Sequence, residues 1–421
     1  MSGHRVAVTG IGAVTPIGHG ASGLWDGVLR NQSAVRAIDR FDPSPFPSRV
    51  AAQIDDFRPA DHLDAKRARR LDRFSQLAVV AARMAAEDAC WTRDPRDPER
   101  TGVWIGSALG GVAFGEEQHA AYVTRGVRGV APTLATAVFG GAAASNVAID
   151  QQLRGPAVGN ANSCASGAMA IGQAAHAIRH GIVDSAVAGG AEAPLAPLTF
   201  GAFAMIGVLS TRNEDPGSAS RPFDAGRDGF VMGEGSAMLT LERWDLAEAR
   251  GATILAEVAG FGASTDAHHL TAPLPSGEAA AAAVTTALAD AGIGADAIGY
   301  VNAHASSTEL NELAEAKALH LALGPRAPSV PMSGTKGLYG HALGASGAIE
   351  AAITVLALHH GLLPGTCNLE TLDDRVDLAV LAEPMRSSPD AALSTSFGFG
   401  GLNAALILSR PRASGPSASV P

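Results

Sequence analysis

Short apolar runs of strand length alternate along the chain with longer segments whose apolar residues recur at helical spacing. Val6-Ala7-Val8 and Val103-Trp104-Ile105 sit in such runs, and so do 183–190 and 236–241. Between them the spacing predicts a helix over about 65–89. A second covers 167–181, with Met169, Ile171, Ala174, Ala175 and Ile178 on its apolar side. From about 253 the alternation resumes with a strand, a helix over about 277–291, a strand at 298–302, a helix near 312–323 and a strand at 329–333. A glycine-bounded helix from Gly347 and a hairpin-like unit over 394–408 follow. Strands that alternate with helices at this rhythm predict an α/β fold of parallel sheets covered by helices.

A repeat lies inside this pattern at an offset of 180 residues. Gly167-Ala168-Met169-Ala170 through Gly181 parallels Gly347-Ala348-Ile349-Glu350 through Gly361, and each helix follows a turn with a reactive residue type, Cys164 before the first and His341 before the second. The chain therefore reads as two halves of similar topology. The first spans 1–252 and carries Cys164; the second spans 253–410 and carries His304, Lys336 and His341. The residues at 411–421, rich in Ser, Ala, Gly and Pro, are predicted to be disordered.

Composition narrows the classes. A chain of 421 residues that is 47% hydrophobic can bury a large core, and its net charge of −10 argues against a nucleic-acid partner. Its three cysteines, Cys90, Cys164 and Cys367, are odd in number and widely spaced, which fits neither a disulfide framework nor a metal motif, so a reducing, cytoplasmic setting is expected. The first residues read as a strand and not as a secretory leader. The uncharged stretches 129–149 and 193–210 are diluted by Gly, Ser, Thr and Pro, so no membrane span is expected. In this acidic chain, Lys66, Arg67, Arg69, Arg70 and Arg73 form a basic run that can dock an acidic partner. Val8-Thr9-Gly10-Ile11-Gly12 is only weakly like a dinucleotide site, because Thr15-Pro16-Ile17-Gly18 stands where the third glycine and a helix should come. The charges of 221–235 are expected mainly to pair with one another.

The candidate chemistry centres on Cys164. A thiol in a small-residue turn at the foot of a helix feels the positive end of the macrodipole, which favours the thiolate, although a free cysteine is more often buried and passive. His304 ends a strand in a polar turn, and Lys336 and His341 share a glycine-punctuated loop. One cysteine, two histidines and a lysine on special turns suit acyl transfer through a thioester. No CxxC or HxxxH pair is present among these residues to support a zinc site, and no metal is expected.

Four segments together carry a family resemblance: Asn162-Ser163-Cys164-Ala165-Ser166-Gly167, Asn302-Ala303-His304-Ala305-Ser306-Ser307-Thr308, Thr335-Lys336-Gly337-Leu338-Tyr339-Gly340-His341, and Ser396-Phe397-Gly398-Phe399-Gly400-Gly401-Leu402-Asn403. In order and spacing the chain resembles the β-ketoacyl-acyl carrier protein synthases of the thiolase superfamily. It is similar to the ketoacyl synthase II group and to the ketosynthases of type II polyketide systems. The resemblance implies a thiolase-like fold of two similar halves, each with a mainly parallel sheet, layered α-β-α-β-α. It implies decarboxylative Claisen condensation of a Cys164-bound acyl chain with a malonyl thioester on acyl carrier protein, in fatty-acid elongation or, alternatively, in a type II polyketide synthase. A non-condensing acyltransferase on the same fold is a further alternative.

By the same resemblance, Cys164, His304, His341 and Lys336 are catalytic, with Glu315 expected to partner Lys336. The backbone N–H groups of Cys164 and Phe399 form the oxyanion hole. Leu109, Phe203 and Phe399 line the acyl pocket, while Ser306 and Thr308 face the phosphopantetheine arm. Lys66, Arg67 and Arg70 dock the carrier protein. No cofactor is expected, and the implied assembly is a homodimer or a heterodimer with a chain-length factor; those factors lack the nucleophile that this chain has. The chain departs from the family at several positions. Ala305-Ser306 stands where Gly-Thr is usual, and Gly334 and Gly337-Leu338-Tyr339 replace Ser and Ser-Met-Thr. Ile206-Gly207 replaces a frequent basic residue, and Thr395 a frequent Asn.

Overall fold

The computed structural model describes residues 3–91 and 97–411. The tail expected to be disordered lies outside the described residues from 412 onward. Strands of the first half are β1 (Val6–Thr15), β2 (Thr101–Gly106), β3 (Ala157–Asn160), β4 (Ser185–Glu192) and β5 (Gly235–Arg243); those of the second are β6 (Ala256–Thr265), β7 (Ile298–Asn302), β8 (Met332–Ser333), β9 (Ala391–Gly398) and β10 (Leu402–Ser409). Within the first half the spatial order is β3-β2-β4-β5-β1, and within the second it is β8-β7-β9-β10-β6. The two orders are the same, third, second, fourth, fifth, first. In each half four strands run one way, and the fifth, β5 or β10, runs against them. The halves are joined where β1 pairs with β6 through Ala7 and Val8, so that among the described residues the strands make one eleven-stranded sheet, with Gly18–His19 added to β1.

The helices form three layers. Helices α2 (Ser166–Arg179) and α5 (Ser346–His360) lie in the middle: α2 packs on β2 and β4 and reaches β6, while α5 packs on β5 and on β9. Every residue of α5 from Ser346 to Leu358 is buried, as expected of a helix that is apolar all round. Gly361, in the left-handed region at φ 64°, ends it. Outside, α1 (Arg73–Asp88) covers β1 and β5, and α3 (Glu278–Ala291) covers β6 and β10 with α4 (Glu309–Leu323) beside it. This is the α-β-α-β-α layering that the resemblance implied.

Glycines set the depth of this packing. β1 is buried along its whole length, and β-carbons on its Gly10 and Gly12 would overlap the carbonyl oxygens of Ala85 and Ala81 on α1. The second half repeats the device, since β-carbons on Gly260 and Gly262 of β6 would overlap the carbonyls of Ala287 and Ala283 on α3. The glycines near the N-terminus thus admit a helix to a strand and build no dinucleotide turn. The helix expected over 65–89 is in fact two, Ala65–Ala68 and α1, because Asp64 and Asp72 each turn a carboxylate onto the amides that follow and start a helix of their own.

Gly12→Ala is expected to cost about 1–3 kcal/mol by forcing α1 off β1, whereas Gly140→Ala, where a β-carbon meets nothing within 4 Å, should change stability by less than about 0.5 kcal/mol. Equal losses in denaturant titrations would contradict this packing.

Candidate active site

The two middle helices cross at their first turns. A β-carbon on Gly167 would fall 2.9 Å from Ala348 N, and one on Gly347 would fall 2.9 Å from Ala168 N. This approach, open only to glycine, brings the two leading turns together. Both are single 3-10 turns, Ser163–Ala165 and Leu343–Ala345, and each opens on a residue in the left-handed region, Ser163 at φ 54° and Leu343 at φ 41°. Such strain at non-glycine residues clusters at functional sites.

The consequence is contact between residues 177 apart: His341 Nε2 lies 3.0 Å from Cys164 Sγ. On the other side of the ring, His341 Nδ1 is 2.8 Å from the Ser346 hydroxyl. His304 stands edge to face with His341, ring centroids 5.3 Å apart. Lys336, completely buried, donates to the His304 carbonyl oxygen and lies 3.5 Å from His304 Nδ1. Its carboxylate partner is Glu350 on α5, not Glu315. Glu315 is otherwise engaged, accepting from the amides of His304 and Ala305 at 2.8 Å and from the Thr395 hydroxyl at 2.7 Å, so it shapes the His304 turn.

Burial governs the protonation states. It pushes the Cys164 thiol up from its ordinary value, with the Ser163 hydroxyl, the Lys336 charge and the Phe399 N–H opposing it. Desolvation thus runs against the thiolate that the helix start was expected to favour. Burial holds both histidines well below their usual range, and the Lys336 charge lowers them further. Both imidazoles are neutral near neutral pH. Burial also raises Glu350, against the pull of Lys336.

A cavity of about 560 Å³ opens on these groups. Cys164, His304 and His341 line it together with Leu109, Phe203, Ser306, Thr308 and Phe399, so all of the expected pocket residues converge there. Phe203 and Phe399 stack at 6.3 Å and Phe203 meets Phe230 at 6.0 Å, forming an aromatic wall. Ser306 and Thr308 hydroxyls are 2.9 Å apart. Arg227 and Asp228 also line the cavity, but Arg227 is held by Asp373 and by backbone carbonyls, and Glu234 is held by Arg40 and Arg73, so the mutual pairing expected of 221–235 is met by Arg221–Asp224 while these other charges pair outside the segment. The basic run lies apart from the cavity lining. Lys66, Arg69 and Arg70 are exposed, but Arg67 is half-buried and ion-paired with Asp150, and Arg73 is held by Glu234, so two of the five cations serve the fold.

Sequence reasoning missed Ser346, Glu350 and Glu192. The first had a visible cue in the repeat, where it matches Ser166; the two carboxylates had none, because single acidic residues in Ala-rich elements look like solvated positions.

The departures from family pattern are physically linked. Ala305 adopts φ 39°, a conformation easiest for glycine. A β-carbon on Gly334 would fall 2.7 Å from Ala305 Cβ and 2.6 Å from Pro222 Cβ. The methyl gained at 305 thus fills the space left at 334.

The family described as Beta-ketoacyl synthase, N-terminal domain, matches residues 3–247, and its C-terminal domain counterpart matches residues 255–370. The chain is 42% identical to a 3-oxoacyl-[acyl-carrier-protein] synthase 2 of Coxiella burnetii, over 97% of this chain and 99% of that one. It is 40% identical to the protein of the same name from Synechocystis, over 96% and 98%. Among solved structures, a beta-ketoacyl synthase from Burkholderia phymatum is 35% identical at a TM-score of 0.90, covering 97% of this chain and all of that one. The ketosynthase of a type II polyketide system, in complex with its acyl-carrier protein and bound to the hexaketide, is 32% identical at a TM-score of 0.90 with the same coverage.

Two expectations follow. Gly334→Ser should destabilise by about 1–3 kcal/mol, and part of that loss should vanish in the Ala305→Gly background, a coupling of about 1 kcal/mol in a double-mutant cycle; strict additivity would contradict the linkage. For pH, burial lowers the histidine pKa values, so the neutral form persists as pH falls through the ordinary value of about 6.5. The acid limb that histidine protonation imposes on turnover should lie below that value, and a pH–rate profile with its histidine limb at or above it would contradict the neutral assignment.

Proposed function

The chain belongs to the β-ketoacyl synthase family, and from that premise we propose that it catalyses the decarboxylative condensation of a Cys164-bound acyl chain with a malonyl thioester on acyl carrier protein, in fatty-acid elongation. The observation that carries this reading is the convergence, in one cavity, of the Cys164 thiol and two neutral imidazoles.

Each residue's part follows from its surroundings. A buried thiol needs a proton acceptor in contact, and His341 Nε2 is placed to take the proton as Sγ bonds to the acyl carbon and pass it to the departing carrier thiol. The Ser346 hydroxyl can accept from Nδ1 or donate to it, so it supports either tautomer. The Cys164 and Phe399 amides would receive the thioester oxygen. In the second step the bond from malonyl to its carboxylate breaks, carbon dioxide leaves, and negative charge moves to the thioester oxygen. Lys336, a donor facing His304 Nδ1, keeps the His304 proton on Nε2, where it is aimed at that oxygen. The carbanion then attacks the Cys164 thioester, and the sulfur leaves.

Relatives with the 3-oxoacyl synthase 2 name match at about 40% identity over nearly the whole chain, against 32% for the polyketide ketosynthase, which favours elongation over polyketide assembly. For assembly we propose a homodimer; β3 is a sheet edge with Ala157 and Gly159 exposed, a surface suited to self-pairing. The exposed Lys66, Arg69 and Arg70 are proposed as the carrier-protein dock. We place the division between halves at 252/253. Three free cysteines, and the lack among the described residues of any helix long and apolar enough to cross a membrane, fit work in the cytoplasm.

Cys164→Ala should abolish the acyl-enzyme seen by intact-protein mass spectrometry after incubation with acyl carrier protein. His304→Ala should still acylate but lower kcat for decarboxylation by about 10²–10³. An acyl adduct that persists in Cys164→Ala overturns the assignment.

A further inference from the structure

Glu192, the last residue of β4, is completely buried and, among the described residues, is in no ion pair. Its carboxylate instead gathers four donors. Oε1 accepts from the Ser107 hydroxyl at 2.9 Å and Leu109 N at 3.2 Å; Oε2 accepts from Ala108 N at 2.6 Å and Gly344 N at 3.0 Å. Three donors come from the loop after β2 and the fourth from the turn that leads into α5, so one side chain ties the first half to the second.

The internal repeat gives this arrangement its meaning. The turns Ser163–Ala165 and Leu343–Ala345 share their backbone shape, which places Gly344 where the first half has Cys164. Beside the Cys164 turn lies Gly398, the end of β9 from the second half, whose missing β-carbon would stand 3.0 Å from Cys164 N, so its position sends no side chain over that amide. Beside the Leu343 turn the matching strand end is Glu192, the last residue of β4 from the first half, and its carboxylate oxygen sits on the Gly344 amide. One backbone device is used twice, open at Cys164 and plugged by the Glu192 carboxyl group at Gly344. A β-carbon at Gly344 would crowd Ala108 N and the Glu192 carboxylate, so the plugged copy requires glycine.

The residues fixed by Glu192 are walls of the acyl cavity. Ala108 and Leu109 on one side and Leu343, next to Gly344, on the other line it and pack in the same apolar cluster as Cys164. We propose that Glu192 is a positioning residue that locks the Ala108–Leu109 loop to the Leu343 turn and thereby sets which acyl chains load onto Cys164. The proposal rests on the condensing reading above. Burial raises the carboxyl to about 7 against its four hydrogen bonds, so the tie is held at a cost in solvation, as a constraint kept for geometry would be.

Glu192→Gln tests it. The amide keeps the shape but turns an NH2 group toward donors, leaving at least one backbone N–H unpaired. Single-turnover acylation of Cys164 is measured with dodecanoyl- and butyryl-carrier protein, alongside carbon dioxide release from malonyl-carrier protein. The variant should lower the dodecanoyl-to-butyryl rate ratio about tenfold, since only the longer chain needs the wall, while malonyl decarboxylation stays within about twofold. Ser107→Ala, which removes one donor, should shift the ratio in the same direction by less, and it decides the matter if Glu192→Gln does not fold. An unchanged ratio, or equal losses in both chain lengths and in decarboxylation, overturns the proposal. Acylation of the wild-type enzyme at Cys164 tests the condensing reading separately, so the two can fail independently.

Discussion

The site depends on the approach of two helix N-termini at Gly167 and Gly347. Side chains at either position would hold α2 and α5 apart, and the turns ahead of them carry the groups that must meet. Each turn sits on its own half of the molecule, and each half has its own five strands in the same order. The contact between Cys164 Sγ and His341 Nε2 is therefore a product of how the halves are joined, through β1 and β6 at the sheet and through the glycine crossing in the middle layer.

Burial, which makes this joint rigid, also decides the chemistry. It keeps the thiol protonated and both imidazoles neutral, and it makes an unpaired Lys336 untenable, so Glu350 on α5 must accompany it. The neutral imidazoles are what a reaction that builds charge on a thioester oxygen requires. They donate hydrogen bonds without the competing pull of a full positive charge on the carboxylate that must leave as carbon dioxide. Lys336 stands behind His304, where it sets a tautomer and does not line the cavity.

Much of this was legible in the sequence. Glycine punctuation marked the turns of Cys164, His341 and Phe399, a polar strand end marked that of His304, and the 180-residue repeat announced the paired helices. Strand and helix alternation gave the layers, because period and length are local properties. What stayed hidden was set by tertiary contact. Glu315 lies eleven residues from His304 on the adjoining helix and looked like the partner of Lys336, but the fold spends it on backbone amides and supplies Glu350 from α5 instead. Glu192 gave no cue, because a carboxylate that accepts from backbone amides needs no partner of complementary residue type. The break at 69–72 escaped because Asp72 caps a helix within a stretch whose pattern is continuous.

The most direct measurement is a crystal structure of the enzyme acylated from a carrier-protein thioester. The account predicts a thioester on Cys164 Sγ, its carbonyl oxygen between the amides of Cys164 and Phe399, the chain running along Leu109 and Phe203, and both imidazoles free to face the second thioester. A chain attached elsewhere, or a carbonyl oxygen held by His304 and His341, would contradict it.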